Sequence, residues 1–157
     1  MIPKTRTGPE YRAVHIAGVI ARPPLLFLAA LLLGFASDRR LPWPFAVPGT
    51  DPAYWMSAGS MILAGLALAA AGIPTNEPTR VLVTTGIHGW TRNPIYLGMF
   101  LVYGGIGIAV RSPSILILTL PLAIAIRYGV VAREEAYLER RFGDTYRDYK
   151  ARVHRWV

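Results

Sequence analysis

The sequence has no cysteine, which removes disulfides, thiolate nucleophiles and Cys-ligated zinc together and leaves the redox compartment unreadable. Histidine is scarce as well. His15, His88 and His154 stand far apart without metal-ligand spacing, so no metal site is expected. Lysine is nearly absent, at two residues against fifteen arginines; beside abundant Ala, Gly and Pro, that bias suits GC-rich codons and a bacterial source. Charged residues make up only 17% of the 157, against 53% hydrophobic, which is too apolar for an ordinary soluble domain of this length and points to a membrane protein. In a soluble chain a net charge of +8 would suggest nucleic acid. Here the basic residues collect at the ends of apolar runs, so they are directed at anionic lipid headgroups, and no nucleic-acid partner is expected.

What the sequence does have is long apolar runs. Ala53–Ile73, Pro94–Val110 and Pro113–Ala132 each approach the roughly 20 residues that cross about 30 Å of hydrocarbon, the second of them slightly short. An earlier run, Leu25–Ala36, reads as part of a kinked first span over Ile16–Ala36, with Pro23 and Pro24 tolerated as prolines are in membrane helices. A basic start followed by Gly34-Phe35-Ala36 also resembles a cleavable leader, but the span is the preferred reading. Leu41-Pro42-Trp43-Pro44-Phe45 suits the headgroup layer. The expected fold is an all-α integral membrane bundle of about four transmembrane helices with a C-terminal amphipathic helical segment, in one domain covering 1–157. Thirteen basic residues fall on the side of the termini and the Pro74–Asn93 loop, against Arg39, Arg40 and Arg111 opposite. The positive-inside rule then places both termini and that loop in the cytosol of a multi-pass protein, in a bacterial inner membrane.

After the last span the chain divides at Phe142-Gly143-Asp144, where glycine can end one helix and aspartate cap the next. Tyr146, Tyr149, Val153 and Trp156 then share one apolar face, suited to lying on the membrane or closing over the bundle.

Three features carry chemistry, and each has a plainer reading. Gly86-Ile87-His88 with Arg92-Asn93-Pro94-Ile95-Tyr96-Leu97-Gly98 sits at the mouth of a span, where Arg92 could simply snorkel and Pro94 start a helix. Tyr103-Gly104-Gly105-Ile106-Gly107 suits close helix packing more than a cofactor cradle. Glu134-Glu135 alone would read as a solvated helix start.

Taken together, Arg92-Asn93-Pro94-Ile95-Tyr96-Leu97-Gly98 and, later, Glu134-Glu135, Leu138, Phe142-Gly143, Tyr146 and Tyr149 resemble the isoprenylcysteine carboxyl methyltransferase and phospholipid methyltransferase superfamily of membrane enzymes. The resemblance covers roughly Thr84 to Val153, and Asn93 stands where the prenylcysteine branch carries histidine. It implies S-adenosylmethionine as cofactor, held by the half of the chain from about 84 to 157. His88, Tyr96, Leu97 and Gly98 would line the adenosyl side, with Glu134 and Glu135 helping to hold the cofactor. Adjacent helical residues point about 100° apart, so one glutamate is expected on the cofactor and the other on an arginine. Arg92 and Asn93 are the candidate catalytic residues of the first motif.

Arg127 is a third catalytic candidate, on grounds independent of the family. Seven residues before Glu134, it would share that residue's face in a regular α-helix, and a buried intramembrane arginine costs about 2.5 to 3.5 kcal/mol unless it is paired or snorkels. The expected function is methyl transfer to a lipid-like or prenylated acceptor, with a lean towards an anionic, prenylcysteine-like carboxylate because a carboxylate needs no base. The alternatives are a phospholipid N-methyltransferase or a non-enzymatic lipid-binding membrane protein. A nicotinamide-dependent reductase lacks any dinucleotide fingerprint. The expected partners are the amphiphilic acceptor and membrane lipids, with no obligatory protein partner.

Overall fold

The structure is a computed structural model that describes residues 22–41, 43, 51–73 and 82–157. Outside these lie the first part of the expected opening span, most of the expected interfacial loop and the basic residues Lys4, Arg6, Arg12 and Arg80.

Among the described residues the regular structure is helical. It comprises α1 (Pro23–Arg40), α2 (Pro52–Ala71), a short 3₁₀ turn (Gly86–Gly89), α3 (Pro94–Ala109), α4 (Pro113–Ile124), a π-helical segment (Ala125–Val131), α5 (Ala132–Phe142) and α6 (Asp144–Arg152). Each of α1 to α4 begins with proline in its first turn, where the missing N–H has no intrahelical partner to lose. Asp51 caps α2 by accepting from the Tyr54 amide at 2.8 Å, and Ser112 caps α4 by accepting from the Ile115 amide at 3.0 Å.

The expectation of about four transmembrane helices is corrected. Among the described residues, two helices are long and apolar enough to cross a membrane: Pro52–Ala71, and the continuous Pro113–Phe142, which runs through the π-helical segment into α5. Pro94–Ala109 is apolar but has only 16 residues, because Pro94 fixes its start and the chain turns at Val110. In α1 the apolar stretch gives way to Asp38, Arg39 and Arg40 within the helix itself. These two apolar helices are consistent with a membrane-associated protein.

Small residues set the packing. On α2, Ala58, Gly65 and Gly72 recur every seven residues, as Gly98 and Gly105 do on α3. A methyl group on Gly98 would meet the Gly65 carbonyl oxygen at 2.5 Å and the Ala69 nitrogen at 2.7 Å, while one on Gly65 would meet the Gly98 carbonyl oxygen at 2.6 Å. Backbone touches backbone here, as small residues at membrane-helix interfaces allow. At the other side of α3, Gly107 and Gly34 of α1 both pack on Ile115. The Asp38 carboxylate ties α1 to α4, accepting from the Ser112 hydroxyl, the Ser114 amide and the Trp43 indole.

α5 and α6 fold back over one end of this bundle, turning at Gly143, whose φ of +54° favours glycine. Tyr146, Tyr149 and Val153 are buried there against Leu82, Leu138 and Phe142.

Gly98→Ala should force α2 and α3 apart and lower stability by about 1 to 3 kcal/mol, as overpacking does. Gly59→Ala, whose added methyl meets nothing within 4 Å, should be neutral or stabilising. Thermal melts in detergent distinguish the two, and equal melting temperatures would show that the α2–α3 contact is not tight.

Candidate functional site

The two motifs meet where α3 begins. Thr91, Asn93, Pro94 and Tyr96 are buried, Arg92 keeps 9% of its side chain exposed, and Glu135 of α5 reaches the same place with 6% exposure. Glu135 holds two arginines. Arg155 donates to it through Nε at 2.9 Å and Nη2 at 2.6 Å, the bidentate geometry that suits guanidinium to carboxylate. Arg92 Nη1 lies 3.1 Å from Glu135 Oε1, an ion pair by distance. Its angle does not make a hydrogen bond, so Nε and Nη1 of Arg92 are buried donors without a hydrogen-bond acceptor among the described residues. The distance identifies the attraction, and the angle identifies what that attraction leaves unmet.

Glu134, one residue away, points elsewhere. It is half-buried and accepts a 2.7 Å hydrogen bond from the Tyr96 hydroxyl, with no cation paired to it among the described residues. The two adjacent glutamates therefore divide their work, as their 100° separation on a helix requires.

The chain beyond α6 completes the cluster. The Arg92 amide donates to the His154 carbonyl at 3.0 Å, and the Arg155 carbonyl accepts from the Thr91 hydroxyl at 3.2 Å and the Asn93 amide group at 3.0 Å. Trp156 stacks edge-on against Phe100 at 6.5 Å, continuing a ring contact from Phe100 to Phe27 at 4.9 Å. Asn93 is thus engaged as a donor to a carbonyl, a role that a histidine N–H at this position could also fill.

His88 is held on both sides. Its Nε2 lies 3.1 Å from the Gly72 carbonyl, which can only accept, so that nitrogen carries the proton. Its own carbonyl accepts from the Tyr149 hydroxyl at 2.7 Å. Leu97 is half-buried in the first turn of α3, its amide donating to the Asn93 carbonyl at 3.1 Å. Gly98 faces α2, where its surface is taken up by Gly65 and Ala69.

Arg127 stands apart. It is exposed, with its guanidinium 5.5 Å from the ring centre of Tyr128, itself exposed. The shared face with Glu134 presumed regular α-helical rotation, and the π-helical segment Ala125–Val131 widens the turn between the two. Arg155 and Thr91 are residues of the cluster that the sequence did not single out. The tail's apolar periodicity reached Trp156, but Arg155 counted only as one of its basic residues.

Burial pushes the Tyr149 phenol up to about 12, with Tyr146 adding to the rise and Arg92 opposing it. Tyr146 is raised as well, by burial first and then by the Glu135 charge. Hydrogen bonding to Glu135 raises Arg155.

These features define a class: a helical protein, its two apolar helices consistent with membrane association, with a buried, mixed-charge cluster at the end of its bundle. Residues 53–145, more than half of the chain, match the family model described as phospholipid methyltransferase. The chain belongs to that family. The match takes in Arg92 to Gly98 and the Glu134-Glu135 pair, whereas Tyr146, Tyr149 and Arg155 lie beyond it. An uncharacterized protein of Haemophilus influenzae is 63% identical over 27 residues, which are 17% of this chain and 43% of that protein. The chain thus covers less than half of that relative's length.

Docking of the tail should be sensitive to alkali. Tyrosine ionises near 10 when unfolded. A phenol held to about 12 in the fold contributes stability that is complete below pH 10 and lost as the pH rises through 12. Melting temperatures should fall across that interval, and less steeply in Tyr149→Phe; identical profiles would mean that Tyr149 ionises as freely folded as unfolded.

Proposed function

We propose that the chain transfers the methyl group of S-adenosylmethionine to an amine on a phospholipid-type headgroup, at the cluster where α3 begins. The observation that carries this reading is the unequal use of the two glutamates. Glu135 is committed to Arg92 and Arg155, while Glu134 is left with a neutral tyrosine. Among the described residues, a carboxylate without a cation beside arginine donors without acceptors fits a ligand bearing both signs of charge. S-adenosylmethionine is such a ligand, and when bound it supplies an electrophilic methyl carbon on a sulfonium.

Glu134 then faces the positive part of the ligand, with Tyr96 fixing its rotamer. Arg92 offers Nε to a carboxylate while Nη1 stays with Glu135, and its backbone is kept in place by the tail. An ammonium headgroup must lose a proton before its nitrogen can attack, and Glu134 is the carboxylate in the cluster not already committed to arginine, so it is suited to accept that proton. Asn93 acts by holding the tail, and no role in this reaction is assigned to Arg127. Catalysis otherwise rests on positioning within a water-poor site, and no protein nucleophile is required.

The family description favours a phospholipid acceptor over the prenylcysteine-like carboxylate expected from the residues alone. The preference for an acceptor needing no base gave no weight to Glu134, whose lack of a cation partner is a matter of packing.

Calorimetry with S-adenosylmethionine on detergent-solubilised protein should show binding that Glu134→Gln weakens roughly ten- to hundredfold, the worth of one charged hydrogen-bond partner. Glu139→Gln, which breaks only exposed pairs with Arg147 and Lys150, should change little. Radiolabelled methyl should appear in phosphatidylethanolamine and not in a prenylated cysteine analogue. The reverse acceptor preference, or equal binding by all three proteins, would overturn the assignment.

A further inference from the structure

Along α3, Tyr96, Met99, Tyr103 and Ile106 succeed one another at i, i+3, i+7 and i+10 and so form one stripe. At one end of it, Tyr96 holds Glu134. The other three line a cavity of about 180 Å³ that is closed by Phe27 and Leu31 of α1 and Leu66 of α2. The accessible lining is wholly apolar, with Tyr103 presenting its ring. Leu66 is 54% exposed, so the rim on α2 opens to the side of the bundle and not to its end. Tyr103 lies about 10 Å along the helix from Tyr96 at 1.5 Å per residue. The space would take roughly six groups the size of a water molecule, at about 30 Å³ each, which is part of one aliphatic chain and too little for two side by side.

We propose that this cavity holds a single aliphatic chain of the methyl acceptor, entering laterally between α1 and α2 while the acceptor's headgroup lies at Tyr96 and Glu134. The proposal rests on the methyltransferase reading for the identity of the occupant. Its physical argument is continuity: the same face of α3 is polar where chemistry would occur and carbon-lined one to two turns further on. Burial of that chain gives the acceptor binding energy remote from the reacting nitrogen, and the cavity's dimensions set how much chain can contribute. The neighbouring acyl chain of a two-chain lipid would stay on the outer surface, against residues such as Leu63.

The test uses the full-length protein reconstituted in phosphatidylcholine vesicles containing a minor fraction of phosphatidylethanolamine with a mid-chain diazirine on one acyl chain. After irradiation, labelled positions are mapped by mass spectrometry. Label should concentrate on Met99, Tyr103 and Ile106 over the outward-facing Leu63 and Leu120. In Leu31→Trp and Ile106→Trp, which fill the cavity from opposite walls, that enrichment should be lost while label at Leu63 and Leu120 persists. Even labelling of cavity and outward positions in the wild type would overturn the proposal, as would enrichment that survives both substitutions. Calorimetry with S-adenosylmethionine on the same variants should show unchanged affinity, which establishes that they fold. Where a variant does not fold, the wild-type label distribution decides alone. Failure of the wild type to bind S-adenosylmethionine would count against the methyltransferase reading, whereas the label map judges the cavity.

Discussion

One buried carboxylate organises the functional end of this protein. Glu135 is almost inaccessible to water and faces two guanidinium groups, one from the loop before α3 and one from the tail after α6. Burying a charge is costly unless it is paired and hydrogen-bonded, and removing one partner from such an arrangement costs about 3 to 5 kcal/mol. The carboxylate therefore requires both arginines in place, which fixes two chain segments 63 residues apart in sequence. Glu134 owes its freedom to the same constraint. With both cations drawn to its neighbour, its partner among the described residues is Tyr96.

The helices beneath supply rigidity. Backbone contact of Gly65 with Gly98 locks α2 to α3 and fixes the direction in which α3 presents Tyr96 and the stripe beyond it. The tail then acts as a strap. Its carbonyls bind Thr91, Arg92 and Asn93 while Trp156 seats against Phe100, so the first motif is held by groups outside its own helix. This organisation gives the C-terminal segment a part in building the site although it lies beyond the region matched to the family.

The sequence revealed which side chains of the cluster lie together more fully than the membrane topology. Motif order placed Arg92, Tyr96, Glu134 and Glu135 in one neighbourhood, and the 100° rule separated the glutamates. Hydropathy located the apolar runs but overstated how many make full-length spanning helices, because helix ends here are set by Pro94, by the turn at Val110 and by charges inside α1. The apolar tail face was readable as a periodicity, whereas its arginine partner was not, since pairing across 20 residues leaves no local pattern. Arg127 was misplaced for a definite reason: rotation was counted as regular α-helix across a segment that is π-helical. The glycines after Tyr103 illustrate the opposite case, in which the plainer reading, close packing, describes Gly105 and Gly107 where the structure places them.

Under the proposed function, Glu135 and Arg155 act as a unit to shape the place where S-adenosylmethionine binds. A double-mutant cycle on cofactor affinity, using Glu135→Gln, Arg155→Gln and the pair together, measures this directly, because coupled residues give non-additive effects. The account predicts that the double variant binds no more weakly than the poorer single variant, since either change alone already releases the tail from the first motif. Effects that simply add would mean that the two residues act independently, and would contradict it.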